Sequence, residues 1–234
     1  MTRAELKRGA ANCLAAVALV ASMIAPVTGS EQAPSITPDQ ALSRLEAGNA
    51  RFVAAKSNHP HQDLSRRHDL AGSQHPFAVV LSCSDSRLPP ELVFDQGLGD
   101  LFVIRVAGNI TDAAVIGSIE YAVEHLKTPL IVVLGHEKCG AVTAAMSGGE
   151  DTHDHIQALV EAIAPVVAEA KKDPKDPLDA AVRLNVQKVV GELSSSEPIL
   201  AHEAKEGHLR IVGAYYSLDT GAVTVLAGSA AAAH

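Results

Sequence analysis

Phe77-Ala78-Val79-Val80-Leu81-Ser82-Cys83-Ser84-Asp85-Ser86-Arg87 decides the fold of this chain, and Leu130-Ile131-Val132-Val133-Leu134-Gly135-His136-Glu137-Lys138-Cys139-Gly140 repeats its plan. Each stretch begins with a compact apolar run rich in β-branched residues, as strands buried on both faces of a parallel sheet tend to be. Each then turns polar and carries metal-binding side chains just past the strand end. In open α/β sheets the carboxyl edge is where ligand sites are built, because the chain turns there and presents side chains outside the sheet. Two thiols, one imidazole and one carboxylate are therefore expected to converge at that edge.

Zinc takes sulfur, nitrogen and oxygen donors at about 2.0–2.3 Å in a tetrahedron, so Cys83, Asp85, His136 and Cys139 form a chemically consistent set for one Zn2+ per chain. The spacing agrees. Residues two apart in an extended segment share a side, which lets Cys83 and Asp85 face one ion. His136 and Cys139, three apart as a helix begins, can do the same. Two lone thiols also admit a disulfide in an oxidising compartment. Each cysteine comes with its own second donor at ligand spacing, which favours metal.

The 234 residues with 47% apolar content suffice for one substantial core, and one catalytic domain is expected over residues 38–228. A formal charge of −8 offers no electrostatic footprint for nucleic acid or for an anionic membrane. A small-molecule substrate fits that balance better.

Residues 1–29 read as a signal peptide: Arg3, Lys7 and Arg8 precede the apolar run 14–27, and small residues follow. The run is shorter than the ~20 residues that span a bilayer, so cleavage near Val27-Thr28-Gly29 is preferred to a stable membrane anchor. The mature protein is expected to be periplasmic or secreted and to keep only Cys83 and Cys139, since Cys13 leaves with the leader. Cys13 stands at the start of the apolar run, whereas a lipid-attachment cysteine stands beyond its end.

After a polar linker (30–37), Thr37-Pro38-Asp39-Gln40 has the pattern of a helix start, with Thr37 as N-cap and Gln40 closing a capping box. A helical arm follows to about residue 55. The polar stretch 57–74 is expected to be a loop, with His59, His61 and His68 solvated. Residues 101–104 form another strand, and Val115, Ile119, Ala122, Val123 and Leu126 fall at helical spacing until Pro129. The right-handed crossover of such a unit sets the strand at 130–134 parallel to its predecessors. Helices are expected at 156–170, with Pro165 as a point for a kink, and at 178–193. Strands at 209–217 and 222–226 meet through Asp219-Thr220-Gly221, and 229–234 is an Ala-rich disordered tail. The fold class is α/β, a mostly parallel central sheet flanked by helices with an N-terminal helical arm. Gly135 and Gly140 are expected to relieve crowding where the backbone bends around the metal.

The runs Cys83-Ser84-Asp85-Ser86-Arg87 and His136-Glu137-Lys138-Cys139 resemble the hallmark of the β-class carbonic anhydrases, Cys-x-Asp-x-Arg followed some fifty residues later by His-x-x-Cys. The blocks Gly99–Arg105, Gly108-Asn109, 117–123 and 213–216 are similar as well, and the likeness covers about residues 38–226. It implies zinc-dependent, reversible hydration of carbon dioxide to bicarbonate and a proton. Cys83, His136 and Cys139 would be permanent ligands. Asp85 would either complete the tetrahedron or pair with Arg87 and leave a position for water, acting with Arg87 as the catalytic pair. Members with a regulatory bicarbonate pocket carry a tryptophan before the first zinc strand, and this chain has none. Gln74, Phe102 and Tyr121 instead match the substrate cleft of the plant-like subgroup, which implies an open site at a dimer interface and a homodimer or homotetramer.

Two departures stand out. Val106 follows Arg105 where asparagine is frequent, and Glu137-Lys138 stands where small or hydroxyl residues are frequent; the expectation is that both charges are simply solvated. His75, His153 and His155 are candidate proton carriers, since imidazole titrates near neutral pH. Two other functions remain open on sequence: hydrolysis of carbonyl sulfide or carbon disulfide on the same scaffold, and a non-catalytic zinc protein with Asp85 permanently coordinated.

Overall fold

β1 (Ala78–Ser82) and β3 (Leu130–His136) are adjacent parallel strands, buried at every position. The computed structural model describes residues 36–149 and 153–227. The expected signal segment, the tail and most of the linker lie outside them. Among the described residues no helix is long and apolar enough to cross a membrane.

β2 (Leu101–Arg105), β4 (Arg210–Tyr216) and β5 (Val223–Val225) complete a sheet of order β2-β1-β3-β4-β5, parallel except for the antiparallel β4–β5 hairpin. From β1 the chain moves outward to β2 and then crosses to the other side of β1 to enter β3. The strand order therefore reverses between β1 and β3, and the crevice beyond their carboxyl ends is where such sheets bind ligands. Ser82 pairs with Leu134, so Cys83 and His136 both emerge at that crevice.

The helices are α1 (Pro38–Val53), α2 (Leu64–Asp69), α3 (Pro90–Val93), α4 (Ala113–Glu124), α5 (Gly140–Met146), α6 (His155–Ala170), α7 (Pro177–Ser194) and α8 (Leu200–Lys205). Thr37 and Gln40 form the expected capping box on α1. Asp112 and Asp176 cap α4 and α7 with their carboxylates, accepting from Val115 and Asp179 amides. The carboxylates also suit the partial positive charge of a helix N-terminus. Pro165 sits inside α6, which runs on through it.

Side chains alternate across a strand, and the sheet carries helices on both faces. Val132 and Ala214 line one cavity with Leu42, Leu45 and Asn49 of α1. Gly135 and Tyr215 face α7: a Cβ on Gly135 would come within 2.6 Å of Val186, and Arg183 stacks 4.0 Å over the Tyr215 ring. α1 is locked to its own sheet. Asn49 donates to Val93 and Gly221 carbonyls and accepts from the Val223 amide, and a Cβ on Gly48 would fall 1.8 Å from the Phe94 carbonyl oxygen.

The stretch 57–74 is more ordered than its polarity implies. It contains α2, and buried Asp95 and Asp100 hold it down. Asp95 accepts from the Asn58 and His59 amides, each at 2.9 Å, and from Arg51 at 2.6 Å. Asp100 accepts from Arg44 and from the Gly97 amide, both at 2.9 Å. His61 is partly exposed, as expected of a loop histidine, but it is also anchored: its Nδ1 lies 2.7 Å from Asp100.

Burial pushes the Asp95 carboxyl up, but the Asn58 amide, the Arg51 guanidinium and the His59 amide together hold it below the usual carboxylate range. A depressed folded-state pKa stabilises fully above the unfolded value, about 3.9, and that contribution is lost as pH falls through the folded value. Asp95→Ala is expected to cost about 2–3 kcal/mol at pH 7, the range for hydrogen bonds to a charged group. Urea titrations should show the gap from wild type narrowing below pH 4, and a gap that stays constant there would contradict this account.

Candidate metal centre

Cys83 follows β1, His136 ends β3, and Cys139 is the N-cap of α5, so two strand ends and one helix start supply the three donors. One ligand atom from each lies within 4.8 Å of the others, and all three residues are buried. The two sulfurs are 3.9 Å apart, and both cysteines are free. A disulfide needs about 2.05 Å. Two sulfurs at about 2.3 Å from one tetrahedral ion stand about 3.8 Å apart, which is the separation found.

The imidazole is set up for the same ion. His136 Nδ1 lies 2.9 Å from the Glu137 carbonyl, which can only accept, so Nδ1 carries the proton. Nε2 is then left with a lone pair. It is buried and has no hydrogen-bond partner. A buried polar atom of that kind needs an explanation, and a backbone carbonyl fixing the other ring nitrogen is the usual support of a metal-binding histidine. The donor set fits zinc.

Asp85 stands next to this trio but is engaged elsewhere. Arg87 grips it with both arms, Nε to Oδ1 at 2.9 Å and a terminal nitrogen to Oδ2 at 2.8 Å, and the Arg87 amide adds a third bond. Asp85 Oδ2 is 3.8 Å from His136 Nε2, too long for a hydrogen bond. Asp85 and Arg87 therefore form a two-armed ion pair beside the cluster. Those Arg87 bonds hold the Asp85 carboxyl well below the usual carboxylate range. The Cys139 thiol, hydrogen-bonded to Cys83, is the main cause of a Cys83 pKa lowered to about 4; burial opposes it, and His136 and the Gly108 amide assist. Cys139 shifts the other way, pushed up by the neighbouring Cys83 sulfur and by burial.

Phe102 and Tyr121 lie together, ring centroids 6.4 Å apart, with the His125 ring tilted against Tyr121 at 5.2 Å; Tyr121 is 48% exposed. Gln74 is exposed and lines a shallow groove with Arg67, Leu70 and Leu98.

Several supports were not read from sequence. Arg105 donates to the carbonyls of Cys83 and Asp85, pinning the loop that carries both. Glu137 and Lys138 are not simply solvated. Lys138 pairs with Glu137 at 2.8 Å, while Glu137 accepts from the Leu218 amide and the Ser217 hydroxyl, fastening the β4–β5 turn beside His136. Gly135 is needed for α7 to approach, not for the metal, and a Cβ on Gly140 would meet open space. Asn109, beside Gly108, is buried.

A parallel α/β domain that gathers two thiols and an imidazole at its switch-point crevice, beside a paired Asp and Arg, is the framework of a metal-dependent enzyme. The family model described as carbonic anhydrase matches residues 78–223. Carbonic anhydrase 2 of Mycobacterium tuberculosis is 43% identical over 191 residues, covering 80% of this chain and 92% of that protein. The carbonic anhydrase of Mycolicibacterium smegmatis is 44% identical over 193 residues, 81% and 94%. Among solved structures, a tetrameric β-carbonic anhydrase of Sordaria macrospora superposes with a TM-score of 0.67 at 29% identity, covering 80% of this chain and 96% of that one. A Coccomyxa β-carbonic anhydrase in complex with acetazolamide gives a TM-score of 0.63 at 30% identity, covering 79% and 86%. The chain belongs to the carbonic anhydrase family, in its β class.

Proposed function

We propose that the protein reversibly hydrates carbon dioxide to bicarbonate and a proton at one zinc ion held by Cys83, His136 and Cys139. The observation that carries this reading is the partnerless, buried His136 Nε2 set against two sulfurs at tetrahedral separation. Zinc at that point supplies the Lewis acidity that brings ionisation of water to about neutral pH. The chain's own part is positional. Asp85, kept ionised by Arg87, accepts a hydrogen bond from the attacking water and directs its lone pair toward the substrate carbon. Arg87 also holds Asp85 away from the Cys83–His136–Cys139 donors, where a catalytic zinc would need room for water.

Phe102 and Tyr121 form an apolar wall of the cleft, and Gln74 reaches it only in an assembly. β2 supports an assembly: it is a sheet edge whose Leu101, Phe102, Val103 and Ile104 are only partly buried, and proteins seldom leave such an edge bare. A homodimer or homotetramer covering β2 and α4 completes the site. Residues 1–29 direct export and are then removed, leaving the enzyme in the periplasm or the exterior.

The test combines zinc analysis, stopped-flow hydration of carbon dioxide beside carbonyl sulfide and carbon disulfide, and light scattering on the mature chain. Expected are one zinc per chain, a hydration rate far above buffer, little turnover of the sulfur compounds and a mass of at least a dimer. Buffer-level hydration by the zinc-loaded protein would overturn the assignment, and a monomer would overturn the shared cleft. A leader retained on the exported protein would overturn the cleavage.

A further inference from the structure

α7 crosses the back of the metal centre, and one polar residue is buried in the middle of its apolar face. Asn185 is 1% exposed, on a helix whose Val182, Val186 and Val189 are also buried. Its Nδ2 donates to the Gly108 carbonyl at 2.8 Å. The Gly108 amide in turn donates to Cys83 Sγ at 3.3 Å. Gly108 lies in the left-handed region, φ +74°, and a Cβ there would meet Ile163 at 2.7 Å and Ala141 at 3.2 Å. Only glycine fits, and glycine restrains its own dihedrals least of all residues.

A buried polar residue in an apolar helix face costs stability unless it is used. We infer that Asn185 is a positioning residue of the metal centre, holding the Gly108 segment so that its amide stays bonded to the Cys83 sulfur. The inference rests on the metal reading above. One peptide flanking the Gly108 α-carbon is tied to the thiolate and the other to α7, so the two hydrogen bonds together set dihedrals that the glycine cannot set for itself. The amide withdraws charge from the sulfur and holds it in place. Without the Asn185 donor, the Gly108 carbonyl is left buried and unpaired, and the segment turns to satisfy it at the expense of the N–H···S bond.

The test uses the full chain with Asn185→Leu, which removes the donor, Asn185→Asp, which keeps the shape, and Val189→Ala, which loosens the same buried helix face without touching Gly108. Zinc affinity by chelator competition should fall about 10–100-fold in both Asn185 variants, the range for losing a support of a ligand. In the cobalt-substituted protein the thiolate-to-metal charge-transfer band should move to lower energy, since an unbonded sulfur gives up charge more readily. Val189→Ala should lower the melting temperature yet leave both readouts at wild-type values. Asn185 variants that bind zinc no more weakly than Val189→Ala, with the band unmoved, would overturn the inference while the wild-type band leaves the metal centre standing. A wild-type chain without any such band would remove the metal centre itself.

Discussion

Cys139→Ala is expected to leave a folded chain that holds almost no zinc and hydrates carbon dioxide at the buffer rate. The residue is the N-cap of α5 yet makes no side-chain capping bond, so its loss removes no helix-starting interaction. Truncating one buried sulfur costs the fold on the order of 1–2 kcal/mol, small against a domain's 5–15 kcal/mol. The effect on the site is of another size. Three protein donors are the minimum for a catalytic zinc, and two leave an ion that chelators strip. The Lewis acidity lost with the metal is worth about nine units of water acidity, from about 7 back to 15.7, so no residual arrangement of Asp85 and Arg87 compensates. Metal analysis, circular dichroism and stopped-flow rates on one preparation check all three parts. A variant that keeps one zinc per chain and more than about a tenth of the rate would show that Cys139 is not a ligand.

That residue was legible in the sequence because its signal is local. A buried parallel strand announces itself by a run of β-branched residues, and the donors follow within a few positions of each run, so Val132 and Val133 place His136 and Cys139 without knowledge of the partner strand. The α1 capping box and the helix periods are local for the same reason. What supports the site is not. The Gly108 amide reaches Cys83 across 25 positions and Asn185 reaches Gly108 across 77, and neither residue differs in sequence from an ordinary turn glycine or helix asparagine. Glu137 looked like a solvated charge because its partners, Ser217 and Leu218, lie 80 and 81 residues away. The order in 57–62 comes from Asp95, some 36 positions downstream. Periodicity reports burial and donor spacing reports chemistry, but neither reports which distant backbone amide a carboxylate will meet.

The second large effect concerns Arg87, which touches Asp85 and none of the three metal donors directly. Arg87→Ala is expected to lower hydration about 10²-fold or more while zinc stays at one per chain and resists chelators better than in wild type. Asp85 Oδ2 is only 3.8 Å from His136 Nε2, and the carboxylate is held by the two-armed guanidinium and the Arg87 amide. With the guanidinium removed, the freed carboxylate would join Cys83, His136 and Cys139 as a donor to the zinc and so close the site to water. Asp85→Asn should lose activity on the order of 10²–10³-fold, the scale for one positioned acid–base or electrostatic group, but without the added resistance, since an amide is a poor fourth ligand. The pH dependence separates them further. Arg87 holds the Asp85 carboxyl below the usual range, so this group's contribution is present above about pH 4 and fades only as pH falls through its depressed value. Wild-type activity should therefore show no step from Asp85 between pH 5 and 9. Zinc-release rates with a strong chelator decide the matter. Release from Arg87→Ala as fast as from Asp85→Asn would mean that the guanidinium orients the carboxylate without guarding the fourth position.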